Sequence, residues 1–269
     1  MSDRKVRHVL GISGGKDSAA LAIHMRDRVP EMEYFFCDTE KELPETYDFL
    51  ARLEAYLDKP ITRLNADKGF DHWLKIYGGY LPSSQMRWCT RMLKIRPFED
   101  WLGDDQALSY VGIRADEDRE GYKSTKPNIV PVFPFRDEGL IKEDIFRILT
   151  ESGVGIPEYY SWRSRSGCYF CFYQRKSEWL GLKEHHPDLF ESAKSYEKPN
   201  PDGVTGFFWS QDEPLTDLEK PERANEILAK AAEVDARKAA SRANLTLLEA
   251  LAADLNDEDG AEGCLMCHV

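Results

Sequence analysis

The chain's chemistry-bearing residues fall into two groups. The first is Gly11-Ile12-Ser13-Gly14-Gly15-Lys16-Asp17-Ser18, set between an apolar run and a helical pattern. Glycines admit unusual φ values and let backbone amides approach an anion closely. A helix starting there points its N-terminus at the same place. Ser13 and Ser18 can donate hydroxyl hydrogen bonds, and Lys16 supplies charge. The stretch reads as a phosphate-binding loop, with a ligand-free glycine turn as the bland alternative. A nucleoside-triphosphatase P-loop needs Gly-x-x-x-x-Gly-Lys-Ser/Thr. Here position 10 is Leu and Asp17 follows Lys16, so that loop is excluded. A dinucleotide Gly-x-Gly-x-x-Gly is absent as well.

The second group is the six cysteines: Cys37, Cys89, Cys168, Cys171, Cys264 and Cys267. In a cytosolic chain of this size, metal, cluster or redox chemistry outranks a disulfide framework for the closely paired ones. Cys168-x-x-Cys171 sits in "SGCYFCFYQRK", an aromatic, basic stretch. Such a pair can ligate zinc, ligate a cluster or act as a dithiol. Cys89 lies in the other basic run, "RWCTRMLKIR". Cys37, between Phe36 and Asp38 in a strand pattern, reads as a small buried hydrophobe. His185 and His186, before Pro187, read as a helix end. Tyr159, Tyr160, Trp162, Tyr169, Phe170, Phe172 and Tyr173 could stack on a base or pack the lid of a site.

These groups need elements to position them. "VRHVLGI" (6–12), "EYFFCDT" (33–39), "PITRLNA" (60–66), "ALSYVGIR" (107–114) and "NIVPVFPF" (128–135) read as strands. Helical spacing covers 16–29, 43–57, 141–152, 176–184, 188–195 and 221–255. Strand alternating with helix predicts a Rossmann-like, doubly wound α/β fold with a mostly parallel sheet. The expected domains are 1–156, a nucleotide-binding α/β domain; 157–200, a cysteine- and aromatic-rich segment closing the site; and 201–269, a helical C-terminal extension with a mobile tail. The long helix carries Ile227, Leu228, Ala231 and Val234 at helical spacing, for packing on the domain or a homodimer partner.

Composition sets outer bounds. The chain has 269 residues, 42% hydrophobic and 31% charged, enough for an ordinary core. No apolar run approaches the roughly 20 residues that span a bilayer. "MSDRKVRHVLGIS" carries charge without a long apolar segment, so a cytoplasmic location away from membranes is expected. Net charge is −12, which disfavours a broad nucleic-acid-gripping face and suggests that a partner delivers any such substrate.

"SGGKDS" resembles the pyrophosphate-binding loop of the N-type ATP pyrophosphatases (the PP-loop, adenine nucleotide alpha-hydrolase superfamily) and of the related phosphoadenylyl-sulfate (PAPS) reductases. Three further stretches favour the PAPS reductase-like branch. "FCDTEKELPETYDF" resembles its Asp-Thr-Gly-x-x-x-Pro-Glu-Thr segment, with Glu40 in place of the usual glycine. "RWCTRMLKIRPFE" resembles its Cys-x-x-x-x-Lys-x-x-Pro segment. "GIRADEDR" resembles its Gly-x-Arg-x-x-Glu-Ser-x-Arg segment, with Asp118 for serine. The resemblance implies that Ser13, Gly14, Gly15, Lys16, Asp17 and Ser18 cradle phosphates or a sulfate. It places Asp38 and Thr39 against the nucleotide, and Lys94, Arg114 and Arg119 as positive charge around the phosphates. Lys16, Asp38, Lys94 and Arg114 become the catalytic candidates, with ATP and Mg²⁺ as cofactors. Plant-type sulfate reductases of this family bind a 4Fe–4S cluster through a Cys-Cys pair and a later Cys-x-x-Cys. Here Cys89 is followed by Thr90, leaving Cys89, Cys168 and Cys171, with Cys264, Cys267 or His185 as candidates for a fourth ligand. Zinc and plain thiols remain open.

The resemblance points to sulfur transfer. DNA phosphorothioation enzymes of this branch and some tRNA-thiolating relatives activate an oxygen with ATP and then insert sulfur. The expected role is adenylation of a substrate oxygen in DNA phosphorothioation, with a cysteine desulfurase as sulfur donor. The alternatives are PAPS or APS reduction, tRNA thiolation, and a non-catalytic nucleotide-binding scaffold. PAPS reductases carry a Glu-Cys-Gly-Leu-His tail. Here Glu262 is followed by Gly263 and Cys264, and Cys267 precedes His268, so the order is broken.

Overall fold

A computed structural model describes residues 6–65, 67–118, 124, 126–199, 206–210 and 213–244. Of the described residues, one compact unit holds the chain up to Gly78 together with Gln85–Tyr169; a second holds Gly79–Ser84 and the chain from Phe170 to Asn244.

The first unit is built on five strands: β1 (Arg7–Gly11), β2 (Glu33–Asp38), β3 (Ile61–Asn65), β4 (Ala107–Tyr110) and β5 (Ile129–Val132). All neighbours pair in parallel, in the order β3-β2-β1-β4-β5. Side chains alternate across a strand, so each strand feeds two cores. Leu10 and Phe36 join Leu21, Phe49, Leu53, Ile145 and Leu149 on one face. Val9, Phe35 and Cys37 join Leu64, Phe98 and Leu102 on the other. Strands buried on both faces read as continuous apolar runs, as "YFFC" does in β2. β3, at the edge, buries only Ile61 and Leu64.

The helices follow the same logic. α1 (Lys16–Met25) and α2 (Pro44–Leu57) supply Leu21, Phe49 and Leu53 to the first core. After α3 (Phe70–Ile76), α4 (Trp88–Thr90) continues through a π-helical turn (Arg91–Ile95) into α5 (Arg96–Leu102), which covers the opposite face. α6 (Pro134–Asp137) is one turn, and α7 (Lys142–Glu151) packs along α1. Two expected strands are shortened. The 107–114 strand ends at Tyr110, because the chain must turn in toward α1: a Cβ on Gly112 would lie 3.0 Å from the Asp17 carbonyl oxygen. The 128–135 strand ends at Val132, because Pro134 opens α6. The helix expected to reach residue 29 stops at Met25.

The second unit contains α8 (Lys176–His185), α9 (Pro187–Tyr196), a two-residue antiparallel pair β6 (Lys198–Pro199) and β7 (Gly206–Phe207), α10 (Leu215–Leu218) and α11 (Pro221–Asn244). Its interior is aromatic. Phe170 stacks on Trp209 at 4.8 Å, and the Trp209 indole N–H donates to the Ala193 carbonyl. Phe170 is therefore a packing residue, and His185 closes α8 as its spacing predicts. In α11 Ile227 is buried while Leu228 is half exposed. No described helix is long and apolar enough to cross a membrane.

Candidate functional site

The chain runs outward from β1 to β3 and then crosses back to β4 on the other side of β1. This reversal opens a crevice at the carboxyl ends of β1 and β4, where open α/β sheets bind ligands. The loop 11–18 leaves β1 there, and Val111–Arg114 leaves β4 there.

The loop is shaped for an anion. Gly14 has φ +75°, and a Cβ on it would lie 2.5 Å from the Thr46 Cγ2 methyl. A Cβ on Gly15 would lie 2.7 Å from Ser166 Oγ. Three amides at the strand-to-helix junction are held by hydroxyls. Ser13 N–H donates to Ser18 Oγ at 3.1 Å, Gly15 N–H to Ser13 Oγ at 3.4 Å, and Lys16 N–H to the Tyr160 hydroxyl at 3.3 Å. The last two bonds are long. An anion's oxygens form shorter, charge-assisted bonds about twice as strong. The Tyr159 hydroxyl donates to the Gly14 carbonyl at 2.7 Å and fixes the turn from behind. Burial raises both tyrosines' pKa values, so they stay protonated at neutral pH.

Charge is concentrated on Asp17, which is 7% exposed. Its Oδ2 lies 2.8 Å from the Lys16 ammonium, and its Oδ1 accepts from Arg114 at 2.8 Å. Arg114 also pairs with Asp116 and Glu117. Burial pulls the Lys16 pKa down, but Asp17 and Tyr160 outweigh it and leave the net shift upward. Arg114 is likewise raised, burial being overcome by Asp17 and Glu117. Two cations thus stay charged at the mouth of the amide cradle. Such an arrangement binds a phosphate chain and stabilises charge developing on it.

At the end of β2, Asp38 Oδ1 accepts from the Glu40 amide and from the Tyr47 hydroxyl, both at 2.8 Å. Thr39 Oγ1 donates to Glu42 Oε1 at 2.8 Å and lies 3.1 Å from Cys168 Sγ. Glu42 is buried, and its Oε2 has no hydrogen-bond partner among the described residues. Burial holds its carboxyl above the ordinary range, against the opposing pull of Lys94 and Thr39. Arg163 donates to the Gly167 and Cys168 carbonyls and fixes the turn that carries the thiol. Glu40, standing where the resembling motif has glycine, has φ +60°. Lys94 lies on the π-helical turn, its carbonyl facing the buried Cys37 thiol. Burial pushes that thiol up to about 12, so it stays protonated and inert.

Ser13, Gly14, Gly15, Lys16, Asp17, Ser18 and Arg114 therefore meet in one site, with Asp38 and Thr39 on the neighbouring strand end and Cys168 against Thr39. Arg119, Cys264 and Cys267 lie outside the described residues. Cys89 is on α4 in the first unit, and Cys171 belongs to the second. Among the described residues no group of three or more His, Cys, Asp or Glu side chains is arranged to hold a metal. Cys168 Sγ packs against Thr39 and Glu42. Sequence reasoning missed Thr46, Ser166 and Glu42. Thr46 had a signal in the Pro-Glu-Thr triplet; Ser166, 153 residues from Ser13, had none.

Residues 7–169 match the phosphoadenosine phosphosulfate reductase domain, a span ending where the first unit ends. An uncharacterized protein of Methanocaldococcus jannaschii is 25% identical over 194 residues, 66% of this chain and 44% of that one. The chain thus spans less than half the length of that relative. An adenosine 5′-phosphosulfate reductase of Salinibacter ruber is 28% identical over 106 residues, 39% of this chain and 42% of that one. Among solved structures, a PAPS reductase of Candida auris in complex with phosphate aligns with TM-score 0.47 and 16% identity, over 61% of this chain and 82% of that one.

Proposed function

This chain belongs to the phosphoadenosine phosphosulfate reductase domain family, and from that membership we propose that it is an ATP pyrophosphatase that adenylates a substrate oxygen for sulfur insertion, with the DNA backbone as acceptor. The observation that carries the proposal is the loop 13–18: amides held only by exchangeable hydroxyls, with Lys16 and Arg114 charged on either side of Asp17.

In this reading the loop holds the β- and γ-phosphates of ATP. The substrate oxygen attacks the α-phosphorus, the bond to the bridging oxygen breaks, and pyrophosphate leaves with that electron pair. Lys16 and Arg114 offset the charge gathering on the departing pyrophosphate. Sulfide then attacks the activated centre, and AMP departs with the original substrate oxygen. No net oxidation or reduction occurs. Mg²⁺ would be carried on the ATP phosphates, since such ions use one or two carboxylates and keep substrate oxygens and water as ligands. Asp38, at the strand end, would face the nucleotide. A cysteine desulfurase would supply the sulfur as a persulfide, from which two thiols, oxidised to a disulfide, release the sulfide used here, and a partner would bring the nucleic acid to a chain of net charge −12.

The broken order of Glu262, Gly263, Cys264, Cys267 and His268 favours ATP as fuel over PAPS as substrate. The reductase reading draws on the family's own description and keeps its place as the second hypothesis. One experiment separates them. ATP with Mg²⁺, sulfide and DNA should yield pyrophosphate and AMP in equal amounts. Thioredoxin-dependent sulfite release from PAPS or APS, with no pyrophosphate from ATP, would replace this reading by the reductase.

A further inference from the structure

Backbone conformation demands glycine at Gly14, where φ is +75°, but not at Gly15. Gly15 sits at φ −94° and ψ 166°, an ordinary extended conformation. What excludes a side chain there is Ser166: a Cβ on Gly15 would lie 2.7 Å from its hydroxyl oxygen. Gly15 thus admits a hydroxyl from the segment after α7 to the face of the amide cradle. Ser166 is buried, and its Oγ stands 3.4 Å from Ser13 Oγ. The same segment brings the half-buried Tyr160. Its hydroxyl accepts from the Lys16 amide at 3.3 Å, and the Lys16 ammonium lies 5.5 Å from the centre of its ring.

Both spacings exceed a firm bond, since hydroxyl pairs settle near about 2.7–2.8 Å and amide–oxygen pairs near about 2.9–3.0 Å. Tyr159, next in the chain, shows the contrast: its hydroxyl gives its proton to the Gly14 carbonyl at 2.7 Å. Two donors that share one acceptor oxygen stand farther apart than a donor and its own acceptor, because each reaches that oxygen from its own side. Ser13 with Ser166, and the Lys16 amide with Tyr160, have such separations. A hydroxyl can accept in one state and donate in another, because its proton rotates. Burial keeps Tyr160 protonated, so that proton is there to give. We infer that Tyr160 and Ser166 are anion-binding residues of this site, each turning its hydroxyl proton onto a phosphate oxygen that a loop donor also holds. The Lys16 amide and Tyr160 share one oxygen, and Ser13 and Ser166 share another. Two segments then build the phosphate site, the loop 13–18 and the turn 160–166, and the second lies outside the loop's own motif. This inference rests on the phosphate chain placed in the loop above.

The test is calorimetric binding of inorganic pyrophosphate to the full chain, and its sign separates two roles. If the hydroxyls only tie down the loop, removing them releases the Lys16 amide and Ser13 to the anion, and affinity holds or rises. If they donate to the anion, Tyr160→Phe and Ser166→Ala each weaken it about tenfold, the loss of one hydrogen bond to a charged acceptor. Melting curves of the same proteins supply a second readout. Because the present contacts are long, the melting temperature without pyrophosphate should move little, while the rise that pyrophosphate causes should shrink. Where a variant melts lower, its affinity is read below its own transition. Parent-like or tighter affinity in either variant overturns the inference and leaves the phosphate reading standing. So does a lowered melting temperature with an undiminished rise on adding pyrophosphate. A parent chain that binds no pyrophosphate overturns both readings.

Discussion

The phosphate loop draws its parts from eight consecutive residues, Gly11 to Ser18, whereas the thiol side draws Cys89, Cys168 and Cys171 from separate segments in two compact units. The loop's turn is set by Gly14, its amides rest on serine and tyrosine hydroxyls, and its charges are matched through Asp17. On the thiol side, Cys168 contacts Thr39 and Glu42. The difference has a physical cause. A strand–turn–helix brings amides together as soon as its backbone folds. Side chains drawn from distant segments are placed only by the packing of those segments on one another.

Substitutions can break this comparison, the largest effect first. Lys16→Ala should lower pyrophosphate release about 100-fold, the usual loss for one donor to a developing anion. Circular dichroism should show the fold intact; activity within a factor of about two of the parent would remove the loop from the chemistry. Gly14→Ala should destabilise the first unit by about 1–3 kcal/mol, from a left-handed φ and a forced overlap with Thr46. Thermal unfolding checks it, with Cys89→Ser expected to shift the midpoint much less. If the two shifts are equal, the loop is no more preformed than the thiol side.

Glu42→Gln sharpens the comparison through pH. Burial raises this carboxyl, so the folded chain binds its proton more tightly than the unfolded chain. Stability from this group is complete below the ordinary carboxylate range, near pH 4, and falls as pH climbs toward the raised folded value. Glutamine does not titrate, so the variant should lose less melting temperature than the parent between about pH 4 and pH 8. An identical slope in both proteins would mean that Glu42 is not the group responsible. The smallest effect is Glu40→Gly, expected to gain about 1 kcal/mol by relieving a non-glycine residue from φ > 0. A lower unfolding midpoint would show that the Glu40 side chain is more valuable to the fold than its backbone strain is costly.

Much of this was legible beforehand. The five strands, the parallel sheet and the loop all follow from apolar runs, helical spacing and the position of Gly14, Gly15 and Lys16, because those signals are local. Cys37 as an inert buried thiol and His185 as a helix end were equally readable. The π-helical turn at Arg91–Ile95 was not, since its backbone spacing is decided by packing against β2 rather than by residue type. The ends of β4 and β5 were also missed, because Gly112 and Pro134 act through contacts or a turn beyond the strand pattern.

The amino-acid order alone located the strand–turn–helix around residues 11–18 and excluded the nucleoside-triphosphatase loop. Only the tertiary structure decided that Arg114 shares Asp17 with Lys16 across 97 residues, that Thr46 makes Gly14 obligatory, and that Glu42 reaches Cys168 across 126 residues. The reason is range. Backbone geometry and periodicity act over a few neighbours, while the partners of a buried charge or thiol are chosen by which strands the crossovers bring side by side.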